Sequence, residues 1–142
     1  MLALLLALAA VQDTTIVIQP ESSSAALQAR ALPRLVSDEV IRFYNDPATT
    51  RLVGRTRLPH GNEWRGNVAV RNGPVFVAGR VQGTLVVING DLFFEAGAEV
   101  SGDVIVVGGT VDTTSSPKVG GELRQYREPL LYRLRNEGDE IE

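Results

Sequence analysis

The residues of this chain that could do chemistry are few. One histidine, His60, sits in the corner sequence Leu58-Pro59-His60-Gly61-Asn62, and there is no cysteine. Disulfides, thiolate metal sites and thiol catalysis are thereby excluded. A lone imidazole cannot supply the histidine cluster that a zinc enzyme needs within one chain. Three aspartates, Asp91, Asp103 and Asp112, lie on a repeated segment, and paired carboxylates are what glycoside-cleaving enzymes use. Asp103, however, stands in a column of polar residues with Asn67, Thr84 and Glu122, which reads as a solvated outer ladder. Gly108-Gly109-Thr110-Val111-Asp112 approaches a calcium-binding Gly-Gly-x-Gly-x-Asp repeat, but it lacks the third glycine and does not recur. Gly79 to Gly83 lies inside strands and opens no helix, so it is no phosphate loop. The expectation is a non-enzymatic protein with no catalytic residue, no metal and no cofactor, in which His60 is a surface turn residue.

The elements that carry these residues are a repeat. Gly66, Gly83, Gly102 and Gly121 are spaced by 17, 19 and 19 residues. Two residues before them stand Trp64, Val81, Val100 and Val119; two after stand Val68, Leu85, Val104 and Leu123; four after stand Val70, Val87, Val106 and Gln125. Apolar residues at fixed offsets are the signature of a stacked repeat whose units bury their inner faces on one another. Strand runs are expected at residues 51–58, 67–71, 74–78, 84–88, 91–94, 103–107 and 109–111. Asn72-Gly73 and Asn89-Gly90 would ordinarily mark hairpins. A hairpin meander does not hold a fixed register over four units, whereas a coil of parallel strands does. The expected fold is therefore all-β: a parallel β-helix, or β-solenoid, of about four to five coils over residues 49–126. About 18 residues per coil at roughly 3.3 Å each give a perimeter near 60 Å, which suits a triangular cross-section. A left-handed solenoid of six-residue steps is the runner-up, since Val75, Val81, Val87 and Phe93 recur at that interval. Glu99 breaks it.

One outward face breaks the rule that solvent-facing positions are polar. Val86, Ile88, Ile105 and Val107 form a contiguous apolar patch on the middle coils. Two covers are open. One is a short helix at about residues 37–45, begun by Ser37-Asp38-Glu39, ended by Asn45-Asp46-Pro47, and apolar at Val36, Val40, Phe43 and Tyr44. The other is a second copy of the chain.

The flanks complete the organisation. Leu2 to Val11 is an apolar run with Ala7-Leu8-Ala9 as a cleavage site, too short for a membrane span of roughly 20 residues. Residues 1–10 are expected to be a signal peptide of an exported protein; without that role the chain would be cytoplasmic. Residues 11–48 form an N-terminal extension carrying the helix. Residues 127–142 form a C-terminal cap and acidic tail, with Leu130 to Leu134 folded over the last coil and residues 136–142 loose. The net charge of −3 gives no pull toward nucleic acid.

The run Val77-Ala78-Gly79-Arg80-Val81-Gln82-Gly83, then Leu85-Val86-Val87, then Gly97-Ala98-Glu99-Val100-Ser101-Gly102-Asp103-Val104 resembles the bactofilins. The resemblance covers about Gly66 to Gly121. It implies a right-handed parallel β-helix that assembles end to end without a nucleotide. The expected function is an exported structural or scaffolding protein whose partner is itself or a cell-envelope component. The alternative is an envelope module that binds a glycan or protein on a lateral face.

Overall fold

The computed structural model describes residues 31–135 and 140–142. The fold below belongs to one compact unit, Leu32–Glu142. The expected signal peptide and most of the N-terminal extension lie outside the described residues.

Among the described residues, helix α1 (Arg34–Asn45) comes first, followed by thirteen short strands. Pro33 opens α1, and the Ser37 N–H already bonds the Pro33 carbonyl at 3.0 Å, so the helix begins a turn before the expected Ser37 cap. It stops where Pro47 forces Asp46 into an extended conformation. Its buried residues, Val36, Val40 and Tyr44, recur every four positions and make one stripe.

The strands wind into a β-solenoid of about four turns. The first sheet, A, holds β1 (Thr50–Val53), β4 (Val68–Arg71), β7 (Leu85–Ile88), β10 (Val104–Val107) and β13 (Leu123–Tyr126). Sheet B holds β2 (Thr56–Leu58), β5 (Val75–Val77), β8 (Leu92–Phe94) and β11 (Val111–Asp112). Sheet C holds β3 (Glu63–Arg65), β6 (Arg80–Gln82), β9 (Glu99–Val100) and β12 (Lys118–Val119). Every pairing between these strands is parallel, and each strand lies beside the one three places on, so neither Asn-Gly makes a hairpin. Val70, Val87 and Val106 stand in one register column, and all three are fully buried.

The corners explain the residue pattern. Each corner from sheet A to sheet B turns on a left-handed residue: Gly54 (φ 89°), Asn72 (φ 61°), Asn89 (φ 55°) and Gly108 (φ 70°). Glycine and asparagine tolerate that conformation best, so Asn-Gly here marks a solenoid corner. Gly54 also splits the single expected run 51–58 into β1 and β2. At the corner from C to A the marker glycines stack. A Cβ on Gly102 would lie 2.8 Å from the Gly83 carbonyl oxygen, and one on Gly121 would lie 2.9 Å from that of Gly102.

The polar column beside the marker glycines has a structural task. Asn67 Oδ1 accepts the Thr84 N–H at 3.0 Å, Thr84 Oγ1 accepts the Asp103 N–H at 3.2 Å, and Asp103 Oδ1 accepts the Glu122 N–H at 2.9 Å. Each side chain thus satisfies a backbone donor of the next coil, where the corner takes it out of strand geometry.

Val87→Asp should therefore be far more damaging than Thr84→Asp. The first buries a carboxylate between Val70 and Val106; the second keeps an acceptor for Asp103. Thermal unfolding should show loss of the folded state, or a drop in Tm well above ten degrees, for the first variant, and a change of a few degrees for the second. Equal midpoints would contradict the register.

Candidate functional site

The apolar face on sheet A is where the sequence expectation and the fold meet. Val86, Ile88, Ile105 and Val107 all point away from the solenoid core, yet all are buried, as is Ala69 beside them. They belong to a second apolar cluster with Val36, Val40 and Tyr44 of α1, and with Leu130 and Ile141 from the C-terminal segment. The chain's own helix and tail cover these four residues. At about 25 cal/mol per Å² of apolar area, burying four such side chains contributes several kcal/mol.

Two asparagines fasten the C-terminal segment. Asn89 Nδ2 donates to the Leu130 carbonyl at 2.9 Å, and its Oδ1 accepts the Leu130 N–H at 2.8 Å. Asn45 does the same to Ile141, at 2.7 and 2.8 Å. Arg133 and Glu142 exchange both backbone hydrogen bonds, at 2.8 and 2.9 Å, so the chain end returns antiparallel to residues 133–135. Here the structure differs from the sequence expectation. The segment runs along the side of sheet A instead of across the last coil, and Ile141, expected in a loose tail, is fully buried. A side-chain amide copies the two-way pairing of a strand, and that pairing decides the path.

Arg71 closes the edge of this cluster. Its guanidinium donates to the Tyr44 hydroxyl at 3.3 Å and the Tyr132 hydroxyl at 3.1 Å, and it lies 6.0 and 5.5 Å from the two ring centroids. Burial pulls its pKa down, but the two hydroxyl acceptors outweigh that and leave it raised. The charge is thus held next to an apolar cluster by aromatic and hydroxyl contacts.

The two ends of the solenoid differ from its sides. Among the described residues, β1, β2 and β3 have no strand below them, and β13, β11 and β12 have none above. Leu123, in the inward column of the last coil, is 38% exposed. Trp64 and Leu52 lie half-buried against the core at the first end. At the last, Gln125 replaces an inward apolar residue, and its Oε1 accepts the Val111 N–H at 2.9 Å. One backbone donor of the final coil is therefore satisfied without another strand, while the rest of that rim stays open to pairing.

The remaining candidate residues do not converge. The corner between β5 and β6 holds only Ala78 and Gly79, while the corners on either side are the longer 59–62 and 95–98. This short corner produces the 17-residue step and leaves a polar notch lined by His60, Glu63, Gly79, Arg80 and Glu99. A Cβ on Gly79 would collide with the Asn62 and Pro59 carbonyl oxygens. His60 is exposed on the rim. Asp91 Oδ1 accepts the Thr110 N–H at 2.9 Å, so Asp91, like Asp103, serves a corner. Among the described residues no group of three His, Cys, Asp or Glu is placed to hold a metal ion, and no helix is long and apolar enough to cross a membrane.

No protein-family model matches this chain, and searches of curated proteins and of solved structures likewise return no match.

Two outcomes test this face. Deleting residues 11–48 removes α1 and should turn the protein into an aggregating or oligomeric species by size-exclusion chromatography with light scattering, whereas Ile88→Lys in the intact chain should destabilise by roughly 3–5 kcal/mol. A truncated chain of unchanged size and solubility would contradict the covering role. Asn89→Gly keeps the backbone's left-handed corner and removes only the bracket on Leu130. Urea unfolding should report a loss of about 1–3 kcal/mol.

Proposed function

We propose that this is a non-enzymatic, exported structural protein, bactofilin-like, that associates with copies of itself through the ends of its solenoid and so supports assembly at the cell envelope. The observation that carries the reading is the contrast between sides and ends. The apolar side of sheet A is covered by α1 and the C-terminal segment. The end coils, among the described residues, leave strand edges without a partner, with the inward Leu52 and Trp64 only half-buried at one end and Leu123 exposed at the other. An open parallel edge beside apolar side chains templates another chain. The export half of the proposal rests on the apolar run of residues 2–11.

Electron microscopy and sedimentation velocity on the chain from Val11 onward test the assembly half. Filaments or short rods of stacked subunits are expected, and Leu123→Lys should shorten or abolish them while Tm changes little. A monomer at all concentrations would overturn self-association and favour the other reading, a lateral-face binding module. Fusion of residues 1–20 to a reporter active only outside the cytoplasm tests export; an inactive fusion would overturn it.

A further inference from the structure

The outward column of sheet B reads Arg57, Phe76, Phe93, Asp112 from coil to coil. The Phe76 and Phe93 rings stack with centroids 5.1 Å apart and planes 14° from parallel. The guanidinium groups of Arg55 and Arg57 lie 4.8 and 4.9 Å from the Phe76 centroid. Strands β2 and β8 flank β5, so these cations and Phe93 take opposite faces of Phe76. Arg57 is at the same time ion-paired with Glu95. A guanidinium that lies on a ring and meets a carboxylate is therefore already present once on this face.

The far side of Phe93 has the same components except the cation. Asp112 follows Phe93 in register, and both residues are partly exposed. Among the described residues no arginine or lysine lies over the Phe93 ring. Asp112 Oδ1 accepts the Thr114 N–H at 2.9 Å and the Thr114 hydroxyl at 2.7 Å, while Oδ2 has no such donor. These bonds also hold the Asp112 carboxyl below the usual carboxylate range, so it is an anion at neutral pH. An aspartate side chain is shorter than a phenylalanine one, which leaves the outer part of the Phe93 face beyond the carboxylate.

We propose that Phe93 and Asp112 form a docking point for an arginine side chain of a protein partner, with the guanidinium plane on the free face of Phe93 and its N–H groups donating to Asp112 Oδ2. The occupant is arginine and not lysine. A flat guanidinium can stack and donate sideways at once, whereas an ammonium is a compact, strongly hydrated point charge. This inference stands apart from assembly at the ends, because it uses a lateral face.

The test is an NMR titration of the full chain with N-acetyl-arginine amide and, separately, N-acetyl-lysine amide. The arginine probe should shift the Phe93 ring and the Asp112 and Thr114 amides, with lysine bound more weakly. Phe93→Leu and Asp112→Asn should each weaken arginine binding about three- to fivefold. Asp112→Asn retains the oxygen that Thr114 bonds, so the turn and the fold persist, as an unchanged amide spectrum elsewhere would confirm. Equal binding of the two probes, no response at Phe93, or an arginine affinity unchanged in both variants would overturn the proposal.

Discussion

Everything in this molecule follows from the requirement that each coil return its backbone to the position of the coil before it. Only then does every strand N–H meet a carbonyl one coil away. The requirement is met by corners that turn the same way each time: left-handed Asn or Gly between sheets A and B, and stacked glycines between C and A. With the corners fixed, the inward residues fall into columns, and Val70, Val87 and Val106 fill the core as like on like. Parallel strands of two to four residues are weak individually. They persist because each is paired on both sides and buried on one face, except at the two ends.

The same requirement has a cost at its boundaries, and the chain deals with it differently on each surface. Sheet A carries apolar residues outward and is closed by α1 and a C-terminal segment held by Asn45 and Asn89. Sheet C carries charges outward, with Arg80 and Glu99 in contact at 3.0 Å. Sheet B carries the Phe76–Phe93 stack and its flanking charges. The last coil uses Gln125 to satisfy one donor, while the remaining strand edges of both end coils have no partner among the described residues. The functional reading is argued from these unequal surfaces.

The legible part of the fold was the part with a column. Trp64, Val81, Val100 and Val119 recur at one offset and do face the core, although β3, β6, β9 and β12 are too short and too polar at their flanks to read as strands. Val86, Ile88, Ile105 and Val107 were legible as a face needing a cover, because outward positions should be polar. What covers them was only half legible. The stripe Val36, Val40 and Tyr44 announces a helix, and the apolar Leu130 to Leu134 announces a cap, but nothing announces that Leu130 lies against sheet A or that Ile141 is buried. That depends on two asparagine amides meeting distant backbone, at sequence separations of 41 and 96, which no local pattern encodes. The Asn67–Glu122 column faces solvent as read, and it is also a ladder of corner caps, a role the sequence did not show because a polar residue at a repeated corner looks the same in either case. The Phe93–Asp112 pair escaped because the two residues become neighbours only once the coils are set in register.

The central claim is the parallel, coil-on-coil register, and methyl NMR tests it most directly. Selectively labelled valines should show contacts of the Val87 methyls with those of both Val70 and Val106, one coil below and one above. Close Hα–Hα contacts between residues 70–71 and 74–75, or between 87–88 and 91–92, would instead reveal antiparallel hairpins at Asn72-Gly73 and Asn89-Gly90 and would contradict the account.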